Sequence, residues 1–346
     1  MKLQKSATLV AAALALGAAT GFSQPAAAYK LVQTVAVGGE GGWDYLTVDA
    51  AARRLYVTHG TRVLVFDADT LARVGEIPDT AGVHGVALAP DLGRGFTSNG
   101  RASTVTIFDL KTLKPINEVK VTGENPDAIL YESGSKQVFA FNGRSGSVSV
   151  LDAESGKVKA TVALGGKPEF AASDSVGRVY VNIEDKSEVV VLDARSAQVL
   201  KRWPLAPCEE PSGMAIDRKG ARLFIGCGNR MMAVVDTASG KVVATPPIGE
   251  GVDANAFDPS TGLAFSSNGD GTLTVVKEEG KDRFVVQENV TTQPRARTMA
   301  LDEKTHRIFL ATADFGPPPP PTPEQPRPRP SMVPDTFRLL VVAPQP

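Results

Sequence analysis

The sequence predicts an all-β fold, a seven-bladed β-propeller of four-stranded antiparallel blades. Three observations carry that reading. Short runs of β-branched and aromatic residues, punctuated by Gly, Asn and Asp, fill the chain with no sustained helical period. One aromatic residue recurs at the same place in seven of these runs. The last repeat lacks a fourth strand, and an unassigned strand-like run near the start can supply it.

The recurrent runs are RLYVTHG, RGFTSNG, QVFAFNG, RVYVNIE, RLFIGCG, LAFSSNG and RIFLATA, carrying Tyr56, Phe96, Phe139, Tyr180, Phe224, Phe265 and Phe309. The aromatics are 40, 43, 41, 44, 41 and 44 residues apart, close to the roughly 40–45 residues of a four-stranded blade. A second column, Asp67, Asp109, Asp152, Asp193 and Asp236, ends valine-rich runs and precedes short polar stretches. An aspartate there bonds its own backbone and nucleates the turn, so its expected role is structural. In the last repeat, strands are expected near 298–301, 307–311 and 337–342. The run 31–37 alternates like a strand, and donating it to that blade closes the ring and removes an exposed sheet edge. Between the second and third strands of blade seven lies an insertion, 314–335, with nine prolines from Pro317 to Pro330. A stiff polyproline II loop is expected there.

Residues 1–28 read as a secretory signal peptide: Lys2 and Lys5, an apolar run from Ala7 to Ala19, then Ala26, Ala27 and Ala28 as a cleavage site. That run is too short to span a bilayer, and no cysteine follows it to take a lipid. The expected product is one domain over 29–346, monomeric, without a membrane span, and periplasmic, with secretion as the alternative. The 37 Lys and Arg stand against 38 Asp and Glu, and losing two lysines with the leader leaves a net charge of about −3. No global pull toward nucleic acid or membrane follows.

RLYVTHG at 54–60, RVYVN at 178–182 and VVDTASGKVVATPPIG at 234–249 resemble the YVTN-type β-propeller repeat family of exported proteins. The likeness covers nearly all of the chain after the leader. It implies an exported propeller and supplies no catalytic residues, because the motif consists of strand and turn residues. The proline-rich insertion departs from the family pattern.

Propeller loops on one face surround the central channel, so repeated positions become rings. Residues about 12 before each aromatic form one ring: Asp44, His84, Asp127, Glu169, Ser212, Asp253 and Arg297. Residues three after it form another: His59, Asn99, Asn142, Ile183, Cys227, Asn268 and Thr312. Converging carboxylates repel unless a cation answers them. The candidate metal ligands are therefore Asp44, Asp127, Glu169, Asp253, Asn99, Asn142 and Asn268 for a hard divalent cation, calcium before a transition metal. His59 and His84, on adjacent blades, are the alternative for a transition ion. Solvated turns filled with water account for the same pattern.

A third ring, Arg62, Arg101, Arg144, Lys186 and Arg230, is basic and is interrupted at Asp270; Arg327 and Arg329 of the insertion are expected to join it. Such a rim suits an acidic partner, an anionic polymer or nucleic acid, although no aromatics interleave with it. Cys208 and Cys227 are expected to form a disulfide. No G-x-S-x-G elbow, HExxH helix or P-loop is present. The expected function is an exported binding or scaffold propeller that holds a small ligand or a periplasmic protein at its channel face. The alternative is a metal-assisted hydrolase or lactonase that uses the carboxylates of the mouth.

Overall fold

The computed structural model describes residues 28–322, 328 and 330–345. The expected leader, apart from Ala28, lies outside the described residues, as do Arg327 and Arg329. Seven four-stranded antiparallel sheets follow one another around a ring. Six blades run from the channel outward in sequence order, as in blade 2 with Val83–Ala89, Arg94–Asn99, Thr104–Asp109 and Pro115–Lys120.

Blade 7 is assembled from both ends of the chain. Its strands Thr298–Asp302, Arg307–Thr312 and Arg338–Pro344 are followed, at the outer edge, by Tyr29–Ala36. Tyr29 pairs with Pro344 and Ala36 with Arg338, antiparallel. The N-terminal strand thus supplies the missing fourth strand and satisfies an edge that would otherwise be open.

The core is seven separate wedges, one at each blade interface. The aromatic column builds them: its seven members lie on the second strands and are at most 2% exposed. Tyr56 of blade 1 faces Phe108 of blade 2, and Phe224 of blade 5 stacks on Phe257 of blade 6 at 4.9 Å. Burying each such ring is worth about 2–3 kcal/mol, so the repeated aromatic holds neighbouring blades at a constant angle.

The aspartate column fixes the turns on the face away from the mouth. Asp67, Asp109, Asp152, Asp193 and Asp236 each accept the backbone N–H three residues on, at 2.7–2.8 Å, and the hydroxyl of that same Thr or Ser. The proline-rich insertion begins and ends as a short antiparallel ladder rather than as polyproline throughout. Phe315 bridges Met332, Gly316 N–H donates to Ser331 O, and Val333 N–H donates to Asp314 O.

Candidate functional site at the channel mouth

The first ring faces the channel because of a defect repeated in six blades. Near the start of each inner strand the register slips, between Trp43 and Leu46, Val83 and Val86, Pro126 and Ile129, Pro168 and Ala171, Pro211 and Met214, and Val252 and Ala254. A bulge of this kind frees residues from the ladder and re-aims their side chains. The freed positions include Asp44, His84, Asp127, Glu169, Ser212 and Asp253.

Side chains of the second strands repair the broken ladder. Thr58 Oγ1 accepts from Asp44 N–H at 3.0 Å and donates to Tyr45 O at 3.1 Å, and Ser98 Oγ accepts from Gly85 N–H at 2.9 Å. Others reach the next blade: Ser98 donates to Asp127 O, Asn182 to Ser212 O and Ser267 to Arg297 O. Sequence reasoning missed this column. Its signal was a polar residue two after the aromatic in four of seven repeats.

The ring divides into three local arrangements. Asp44 Oδ2 lies 2.6 Å from His84 Nδ1, which is 3.7 Å from Asp127 Oδ1. Glu169 pairs with Lys167 at 2.5 Å, and Lys167 also reaches Glu184 at 2.5 Å. Asp253 meets Arg297 Nε and accepts from Ser212 Oγ, both at 3.2 Å. Below them Tyr45 of blade 1 and Phe170 of blade 4 meet at 4.4 Å between ring centres. That pair lines a chamber of about 330 Å³.

Burial dominates the electrostatics. It pushes the Asp44 and Asp253 carboxyls above the usual range, opposed by His84 at one and Arg297 at the other. Burial, with the neighbouring Asp44 charge, raises Asp127 to about 6. Burial and the Asp127 charge raise Glu169 to about 8 despite Lys167. Burial disfavours a charged His84, but the Asp44 hydrogen bond and the Asp127 charge outweigh it and lift the imidazole to about 9. The ring brings four carboxyl groups together with three cationic partners, His84, Lys167 and Arg297.

The second ring does not gather with the first. Asn99, Asn142 and Asn268 are fully buried, and each Nδ2 donates to two hydroxyls near the start of its own blade's third strand, such as Thr104 and Thr106 for Asn99. These amides staple strands because a buried N–H must find an acceptor. His59 is also buried, stacked on Phe337 at 4.5 Å, apart from the His84 cluster. Among the described residues, the one set of His, Cys, Asp and Glu close enough to share an ion is Asp44, His84 and Asp127.

Above the cluster opens a funnel of about 820 Å³ lined by Trp43, Asp44, His84, Arg101, Lys120 and Arg144, among others. Arg101 and Arg144 are exposed and form no ion pair among the described residues. The rest of the third ring is engaged: Arg62 with Glu76 at 3.8 Å, Lys186 with Asp185 at 3.9 Å and Arg230 with Glu250 at 2.6 Å. A second recess of about 570 Å³ shares Trp43 and Asp44 and is lined by Arg295, Arg297 and Phe315. Cys208 and Cys227 form a disulfide that pins the loop leading into the inner strand of blade 5. Compared with known protein families and curated proteins, the chain matches no family model and no curated sequence.

Proposed function

We propose that this chain is an exported binding propeller whose ligand or partner docks in the funnel at the channel mouth. The observation that carries the reading is the pairing, within one funnel, of the Asp44–His84 pair, which is joined to Asp127, with two arginines without ion-pair partners. Buried like charges lower the stability of the mouth, and a cationic group bound there recovers that cost. Arg101 and Arg144, in the lining of the same funnel, attract anionic groups. A ligand carrying both signs, or an anion arriving with a cation, satisfies floor and wall together. The YVTN-like motifs and a disulfide, which persists in oxidising compartments, support export.

The test compares wild type with the Arg101→Glu, Arg144→Glu double variant in chelator-treated buffer. Each is immobilised and challenged with periplasmic extract, single-stranded DNA and acidic polysaccharide. Wild type is expected to retain a partner at about 50 mM salt and release it near 200 mM, as screening and counterion release predict. The variant is expected to lose it at both while melting at the same temperature. Identical partners for both proteins at both salt levels would overturn the reading. The hydrolase alternative draws support from the His84–carboxylate cluster alone, and its test is acid release from lactone or ester substrates that is lost in His84→Gln.

A further inference from the structure

At the floor of the funnel the carboxylates are not equivalent. Asp253 is answered by Arg297 and Glu169 by Lys167, whereas Asp44 and Asp127 share His84. The three ligand atoms lie within 4.8 Å of one another, with the imidazole Nδ1 2.6 Å and 3.7 Å from the nearer carboxylate oxygens. Atoms bound about 2.0–2.2 Å from one ion stand roughly 3–3.5 Å apart. The two imidazole–carboxylate separations bracket that requirement, and each meets it with an adjustment of under about 1 Å.

The imidazole is also oriented from behind. Asn125 lies beside His84 and favours its charged form. A Cβ at Gly100 would come within 2.5 Å of His84 Nε2 and 2.6 Å of Asn125 Oδ1, so both are seated against that glycine. A histidine whose one ring nitrogen donates to a fixed oxygen presents the other as a lone pair, the arrangement that second-shell partners impose on metal ligands. All three residues occupy bulged positions on the inner strands of blades 1, 2 and 3, where blade packing holds their spacing.

We propose that Asp44, His84 and Asp127 bind one divalent transition ion of the zinc class, with its remaining positions open to the funnel beneath Arg101 and Arg144. One imidazole nitrogen and two carboxylates suit such an ion, while calcium takes six to eight oxygens. The preference for calcium drawn from an acidic ring therefore gives way, because Asn99 and Asn268 use their amide oxygens to accept hydroxyls of their own strands and Asn142 is fully buried within its blade. Binding displaces the proton shared by His84 and Asp44. The proposal deepens the reading of the mouth as the binding site: an ion there takes the cluster from a net charge of −1 to neutral and leaves open positions on the ion, so that an anionic oxygen can meet both ion and wall.

The experiment titrates zinc, cobalt(II) and calcium separately into tag-free protein stripped with chelator and dialysed, followed by calorimetry and, for cobalt, by its visible d–d absorption. One zinc per chain is expected, held at least about 100-fold more tightly than calcium. His84→Gln and Asp127→Asn should each weaken zinc about 100-fold and abolish the cobalt spectrum, while circular dichroism and melting confirm a folded ring. His306→Gln, on the other face, should bind as wild type. No zinc or cobalt binding tighter than about 1 mM, or binding unchanged in both folded mouth variants, would overturn the site. If zinc fails while the arginine variant still loses partners in chelator, the metal falls and the mouth reading stands. If zinc binds as expected while the arginine variant keeps every partner, the mouth reading falls and the metal stands.

Discussion

The carboxylates of the mouth and those of the opposite face are chemically alike and behave in opposite ways. At the turns, Asp67, Asp109, Asp152, Asp193 and Asp236 sit among backbone and hydroxyl donors that hold them below the ordinary carboxylate range. At the mouth, Asp44, Asp127, Glu169 and Asp253 are buried beside one another and are held above it. A carboxylate that accepts fixed donors stabilises the fold, and one crowded against its like destabilises it. The turn face therefore maintains the ring, while the mouth keeps a charge arrangement that lowers its stability and that the proposed ligand site would offset.

The largest expected effect tests the stabilising face. Asp302 has a fully buried side chain held by Arg53 through two hydrogen bonds, at 2.9 and 2.7 Å. Arg53→Met should cost about 3 kcal/mol in urea unfolding, because it leaves a buried charge without its partner. A loss below about 1 kcal/mol would mean that this face does not depend on paired carboxylates. Next comes the clamp beside the mouth: replacing Cys208 and Cys227 with serine should cost about 2–3 kcal/mol, by freeing a loop closed over 19 residues of sequence separation. Equal stability with and without reductant would remove the bridge from the comparison.

The sharpest contrast is in pH dependence. The fold raises Glu169 to about 8, so it favours the protonated form. The stability linked to that proton is complete below the ordinary glutamate pKa near 4.3 and is lost as pH rises through about 8. In chelator, Glu169→Gln should melt higher than wild type at pH 9, by the equivalent of about 1 kcal/mol, and equally at pH 5. A variant less stable at pH 9 would contradict the crowded mouth. The turn aspartates have the reverse sign, with stability complete above the ordinary aspartate value and lost as pH falls through their depressed values. Asp152→Ala should cost only about 0.5 kcal/mol at pH 7, since solvent screens the site, and should converge with wild type in acid.

The fold was legible because its determinants repeat. The seven aromatics and five aspartates act locally, each through its own strand or turn, so their spacing translated directly into blades and turns. The bulge-borne ring was legible by position for the same reason. What each member meets was not, since His84 finds Asp44 and Asp127 across blade boundaries, 40 and 43 residues away. The asparagines, read as mouth ligands because their column also sits near that face, are fully buried in their own blades. Only the hydroxyls of the following strand, Thr104 and Thr106 for Asn99 or Ser147 and Ser149 for Asn142, reveal that their amide N–H groups are spent inside the sheet.

Pairing Tyr29–Ala36 with Arg338–Pro344 also has a consequence for how the chain reaches its native state. Every other blade is a meander of neighbouring segments and can form from local contacts, but the seventh waits for the first described strand to meet the last. Closing so long a loop is slow because its entropy is lost before any hydrogen bond is gained. A nascent chain still missing its final strand can hold six blades and no ring, with Arg307–Thr312 still lacking its outer neighbour. Maturation is therefore expected to end in one late, cooperative step, and conditions that prolong the interval before it should be those under which the protein aggregates.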